Sequence, residues 1–266
     1  MKNNADLKSC LDEQYKKINN RDFIESDPVK FPHRYFAGGE YPAGQYSEGE
    51  QNRVRDVEIS AFLSATIAWG RRDLILRSCE RMFGLMERSP ASYVLTGNFK
   101  NLKDRCVHRT FFEEDLKYFC RGLKFCYEQY GSLESLFASA ANIWDGLVLF
   151  REFMAKGNKG NFSKHIANAL SNSACKRLNL ALRWLIRREG PVDLGLWKKL
   201  SPASLFIPLD VHVGRIARQL GLLDPHRKAN DKKAVIALTE KLRELCPEDP
   251  VKYDLALFGM GVTSLD

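Results

Sequence analysis

Lys176 and Asp210, thirty-four positions apart, are the residues of this chain whose types could do chemistry together. A neutral primary amine attacks carbon, and a carboxylate held in one direction stabilises a developing cation and accepts a proton. Asp210 closes the apolar run "SLFIPL" and opens the helix-patterned "VHVGRIARQLG". There it reads in two ways. As a plain helix cap, its carboxylate accepts bonds from the free amides of the first turn, worth ~1 kcal/mol. As a chemical group, it is carried out of the interior on the apolar run and aimed by those same amides.

Lys176 stands near the start of "ACKRLNLALRWLIRRE". Leu178, Ala181, Leu182 and Leu185 form a core stripe, while Lys176, Asn179, Arg183 and Arg187 run along another face. A lysine in a first turn meets the positive end of the helix dipole, which favours the neutral, nucleophilic amine. Ser171 or Ser173 can cap this helix. Arg187 and Arg188 read as a solvated basic face. Spacing alone does not bring the amine to the acid.

The elements that must do so are helical. Strand-like alternation is nearly absent, and from Asp56 onward apolar residues recur at helical spacing, with Ile59, Phe62, Leu63, Thr66 and Ile67 on one face. Further helices are expected near 71–88, 112–130, 133–138, 143–156, 163–170, 174–188, 211–220, 231–245 and 251–258. Residues 1–50, rich in Pro, Gly and Tyr toward their end, read as an irregular segment packed on the core, and 51–266 as one helical domain. The fold class is all-α.

At 266 residues, 44% hydrophobic and 28% charged, the chain suits a soluble globular protein with a substantial core, as one large domain or two lobes. No run approaches the ~18 apolar residues that span a bilayer. The polar start "MKNNADLKSCLDEQYKKINN" lacks the apolar core of a signal peptide. No membrane association is expected, and a cytoplasmic location is. Forty-one Lys and Arg against thirty-three Asp and Glu leave +8, which suits a polyanionic partner. The seven cysteines are scattered, without a C-x-x-C pair or zinc spacing. They are expected to be reduced, buried thiols, with no metal and no iron–sulfur cluster.

The segment 174–223 resembles the catalytic region of helix-hairpin-helix DNA glycosylases of the endonuclease III superfamily. "IPLDVHVGRIARQLG" is similar to their segment V-D-T-H-V-x-R-V, with Asp210 at the position of the catalytic aspartate. "ACKRLNLALRW" is similar to their lysine-bearing helix, with Lys176 at the position of the Schiff-base lysine. The long interval between the two is nearest to the archaeal 8-oxoguanine DNA glycosylases. The whole chain, with "EISAFLSATIAWGRR" and "VKYDLALFGMG", also resembles a bacterial family of uncharacterised proteins related to these enzymes. The phosphate-gripping hairpin L-P-G-V-G is replaced by "SNSA" before the lysine helix, and the cluster-binding cysteines are missing. The archaeal relatives lack an ordinary hairpin as well.

The resemblance implies a two-lobed helical bundle with a central cleft, acting as a monomer on double-stranded DNA that carries a damaged base. An oxidised purine such as 8-oxoguanine is the implied lesion, and no cofactor or metal is required. Lys176 would form an imine with the sugar, and Asp210 would stabilise the charge. Asp254 and Phe258, one turn apart on the last helix, would hold the base, with Phe258 in place of the usual tryptophan. Each also reads blandly, as a surface acid and a core aromatic. Trp69 would stack on a base or pack in the core. Arg71, Arg72, Arg177, Arg183 and Arg215 would contact phosphates. A DNA- or RNA-binding module without the chemistry competes with this reading, and an all-helical interaction protein is a third.

Overall fold

Apolar residues at helical spacing bury themselves only when helix faces pack on one another, and helices make up nearly all the regular structure. A computed structural model describes residues 4–36 and 49–263. The chain divides into two compact units, one formed by Met1–Phe23 with Asn168–Asp266, the other by Ile24–Ala167. The all-α expectation holds. Among the described residues the only strands are two short pieces, Cys106–His108 and Phe111–Phe112, paired antiparallel.

The N-terminal segment corrects the reading of 1–50 as irregular. It holds α1 (Asn4–Ile18), α2 (Arg21–Ser26) and α3 (Lys30–Phe36). Leu7, Leu11 and Tyr15 recur every fourth residue of α1 and are buried, a helical stripe easily overlooked beside so many polar neighbours. The Gly- and Pro-rich remainder, 37–48, lies outside the described residues.

In the Ile24–Ala167 unit, α4 (Glu50–Thr66) is buried on every side from Asp56 to Thr66. Two of its buried groups are acids, and both have work to do. An Asp56 carboxylate oxygen accepts from the amide of Ala91 at 2.7 Å, in the first turn of α6 (Pro90–Thr96). Glu58 accepts from Leu133 and Glu134, each at 3.1 Å, in the first turn of α8 (Leu133–Ala138). A carboxylate at a helix N-terminus meets unsatisfied amides and the positive dipole end, which offsets its desolvation. α5 (Arg72–Leu85), α7 (Glu113–Tyr130) and α9 (Ile143–Lys156) complete the unit. The helix expected over 163–170 does not form. Ser163 and Asn168 side chains accept from the amides of His165 and Leu170 instead, an alternative to helical bonding that such residues favour.

The other unit contains α10 (Lys176–Ile186), α11 (Val211–Gln219), α12 (Lys232–Leu245) and α13 (Tyr253–Thr263). α1 and α11 both pack on α13, so the N-terminal helix is built into the unit that holds Lys176 and Asp210. Among the described residues no helix is long and apolar enough to cross a membrane.

Candidate active site

Lys176 is the first residue of α10, following Cys175 in a left-handed conformation with φ +48°. Asp210 is the N-cap of α11. Its approach is buried: Leu205, Ile207 and Leu209 are each at most 2% exposed, and the amide of Ile207 donates to Thr239 Oγ1 at 3.1 Å. One carboxylate oxygen, Oδ1, accepts from the amides of His212 and Val213, both at 2.9 Å. The other, Oδ2, lies 3.0 Å from Lys176 Nζ. Asp210 therefore caps α11 through one oxygen while the other faces the amine. The lysine side chain is 34% exposed and the aspartate 14%, so the lysine is the more open of the two to solvent.

A second carboxyl belongs to the same neighbourhood. Asp254, in the first turn of α13, is 4% exposed and pairs with Arg183. Burial pushes its carboxyl up to about 6 against the pull of Arg183, with Asp210 adding to the rise and Lys176 opposing it. The surface-acid alternative for Asp254 is thus excluded. Raised affinity for a proton in the folded state means that this group favours folding below about pH 4 and that the advantage is lost as pH rises through about 6. Asp254→Asn keeps an acceptor for Arg183 and removes the titration. It should flatten the fall in stability between pH 4 and 6, a difference on the order of 3 kcal/mol, read from urea unfolding at several pH values.

Arg183 was expected at a phosphate and is found elsewhere. It is 3% exposed, its Nε 3.2 Å from Asp193 and one of its amino groups on Asp254. Arg187 likewise leaves the solvated face assigned to it. Fully buried, it binds Asp193, Asp249 and the Tyr15 hydroxyl. Both corrections have one cause: Asp249 and Asp254, which receive these arginines, are distant in sequence, and Asp193, though near, lies beyond the end of the helix, where helical spacing says nothing of a contact. Arg188 is exposed, as expected.

The remaining candidates divide between the units. In the unit of Lys176, Arg177 is half-buried and its guanidinium is pulled down by burial. Arg215 is half-buried and donates to the Gly261 carbonyl at 3.1 Å. Phe258 is half-buried and meets Phe23 edge to face, ring centres 6.0 Å apart. Trp69, Arg71 and Arg72 belong to the other unit. The Trp69 ring lies edge-on to His108 and stacked on His165, the surroundings of a packed tryptophan rather than an open platform. Arg71 is exposed and forked onto Asp73, and Arg72 lies 3.8 Å from Asp27. A groove of about 750 Å³ in this unit, lined by Tyr118, Phe162, Lys159 and Lys164 among others, contains neither Lys176 nor Asp210.

Charge is unevenly shared. The unit with Lys176 and Asp210 carries 21 Lys and Arg against 15 Asp and Glu, and the other carries 20 against 18. Most of the surplus therefore sits with the lysine–aspartate pair. The burial of Cys79, Cys120 and Cys126 pushes their thiols well up, which keeps them protonated and unreactive. Cys106, in contrast to the expectation of buried thiols, is exposed.

No curated protein matches the chain, and no solved structure does. A family model does match, over residues 48–263, which includes Lys176, Asp210 and Asp254. On that match, which spans most of its length, the chain belongs to the family described as protein of unknown function, DUF2400.

Proposed function

We propose that the protein is a DNA glycosylase with AP-lyase activity, on a two-lobed scaffold of the helix-hairpin-helix glycosylase type. It would act as a monomer in the cytoplasm on duplex DNA holding a damaged base, an oxidised purine such as 8-oxoguanine. One observation carries the reading: a half-buried amine and a less exposed, amide-held carboxylate, 34 residues apart in sequence, stand 3.0 Å from each other. A salt bridge of this kind contributes little to stability when partly exposed. Here the acid is the lysine's acceptor, placed to take its proton when the amine must become a nucleophile. The basic surplus of the same unit supports a polyanionic substrate.

The base must leave the stack before its C1′ can be reached. The bond from C1′ to the base breaks with its electrons going to the base, and positive charge grows on C1′ and the ring oxygen. Asp210 stabilises that charge. Lys176 Nζ, its proton passed to Asp210 Oδ2, bonds to C1′. One proton of the resulting secondary ammonium then passes to the ring oxygen as the bond from C1′ to that oxygen breaks, which leaves a protonated imine on Lys176. Loss of a C2′ proton and departure of the 3′ phosphate oxygen cut the strand by elimination.

Borohydride reduces such an imine to a stable amine and so links the protein to DNA. Duplexes carrying 8-oxoguanine, uracil, hypoxanthine or an abasic site are to be compared. A covalent band is expected with at least one lesion, and Lys176→Gln should lower it by more than about a hundredfold. Salt-dependent binding without any band on any of these duplexes would instead support a nucleic-acid-binding module that lacks the chemistry.

A further inference from the structure

Lys176 and Asp210 sit at the starts of two separate helices, so something must fix one start against the other. Two adjacent residues reach both. Asn230 donates from Nδ2 to the backbone carbonyl of Asp210 at 3.0 Å. Its Oδ1 accepts from Arg218 at 2.9 Å, so donor and acceptor ends of the amide are each committed to a different partner. Arg218, on α11 itself, also donates to the carbonyls of Arg227 and Ala229, at 2.7 and 3.1 Å. These bonds fold the loop before α12 back over the helix that Asp210 caps. Gly214 makes the approach possible: a Cβ there would lie 2.5 Å from Asn230 Oδ1.

The next residue faces the other segment. Asp231 Oδ2 accepts from Asn172 Nδ2 at 2.7 Å, four residues before Lys176. The amide of Lys232 donates to the Asn172 carbonyl at 3.3 Å, and Lys232 Nζ donates to the Ala169 carbonyl at 3.2 Å. Arg227 binds both Asp231 oxygens, at 2.7 and 2.6 Å, and pulls this carboxyl down to about 2, which keeps it ionised.

We propose that Asn230 and Asp231 form a clamp that sets the separation of Lys176 from Asp210, with Asn230 holding the acid's end and Asp231, through Asn172, the segment that leads into the lysine. The inference rests on the glycosylase reading of that pair, and it makes Asn230, Asp231 and Asn172 positioning residues rather than catalytic ones. None of them touches the Lys176 amine. Their effect is therefore on rate: a reacting group misplaced by about an ångström loses up to roughly a hundredfold.

Two variants cut the two arms separately. Asn230→Asp removes the donor to the Asp210 carbonyl and keeps the acceptor for Arg218. Asn172→Ala removes the Asp231 bond of the other arm at an exposed side chain and leaves the two Lys232 bonds to this segment in place. Single-turnover borohydride trapping on an abasic duplex is measured with DNA affinity and thermal midpoint. Each variant is expected to trap about ten- to a hundredfold more slowly with affinity within about twofold. The double variant should be little slower than the worse single one, because both arms set one distance. In the DNA-free protein, NMR of isotope-labelled lysine should show the Lys176 side-chain signals displaced in both variants, in the same direction as in Asp210→Asn, because each variant moves the amine from its acceptor. Unchanged Lys176 signals in both, or a rate loss that merely follows lost affinity, overturns the clamp. Should the wild type form no adduct on any duplex, the repair reading fails, and the lysine signals alone then decide the clamp.

Discussion

Asp210→Asn is expected to slow base release by about a hundred- to a thousandfold while leaving duplex affinity within about twofold. The substitution is informative because it separates the two oxygens. Oδ1 accepts from the His212 and Val213 amides, and an asparagine carbonyl can do the same. Asn caps helices about as well as Asp, so the stability of α11 should change by only a few tenths of a kcal/mol. Oδ2, which faces Lys176 Nζ at 3.0 Å, becomes an amide that can neither take the lysine's proton nor offset positive charge on the sugar. Asp210→Ala adds the loss of the cap, about 1 kcal/mol in urea unfolding, to the same loss of rate. If Asp210 were a cap and nothing more, Asn would be harmless in every assay and only Ala would show an effect. Release of 8-oxoguanine in single turnover, beside urea titrations of both variants, measures each term. Base release and nicking by Asp210→Asn at the wild-type rate would remove the acid from the mechanism.

How much of this was legible in the sequence depended on whether the information was local. Helices such as Leu133–Ala138 and Ile143–Lys156 follow from periodicity and from caps a few residues away, Ser132 and Asn142, and their bounds match expectation. Asp210 as the start of α11 is equally local. The pairing of Lys176 with Asp210 was suggested by resemblance alone, since no pattern of spacing encodes a contact across 34 residues. Asn230 and Asp231 carried no signal, because a loop amide that bonds a backbone carbonyl looks like any turn residue. The buried arginines misled for a related reason. Arg183 and Arg187 share a helix face with Lys176, and that face is solvated or buried according to whether Asp193, Asp249 and Asp254 arrive from elsewhere.

Those arginines carry the largest stability effect expected of any single substitution in this unit. Arg187 is fully buried, with Nε on both oxygens of Asp249 at 3.0 and 2.8 Å, a second nitrogen on Asp193 and a third on the Tyr15 hydroxyl at 2.8 Å. Tyr15 is on α1, and it also accepts from Asn19 and donates to the Glu189 carbonyl. One guanidinium thus fastens the N-terminal helix, the segment after α10 and the approach to α13. Three acids, Asp193, Asp249 and Asp254, face two arginines, and burial already raises Asp249 and Asp254. Arg187→Met leaves the volume roughly filled and one guanidinium for three carboxyls. Removing one partner from a buried ionic group costs about 3–5 kcal/mol, a large part of the ~5–15 kcal/mol by which domains of this size are stable. The sign of its pH dependence is fixed. Carboxyls that lose their cation bind protons more tightly when folded, so the deficit should shrink as pH falls from 7 toward 5 and grow as it rises again. Arg187→Lys should recover part of the loss, because it restores the charge without the fork that spans two acids. Urea titrations at pH 5 and 7 read all of this. A deficit for Arg187→Met below about 1 kcal/mol at pH 7 would mean that the network costs as much in desolvation as it returns in attraction.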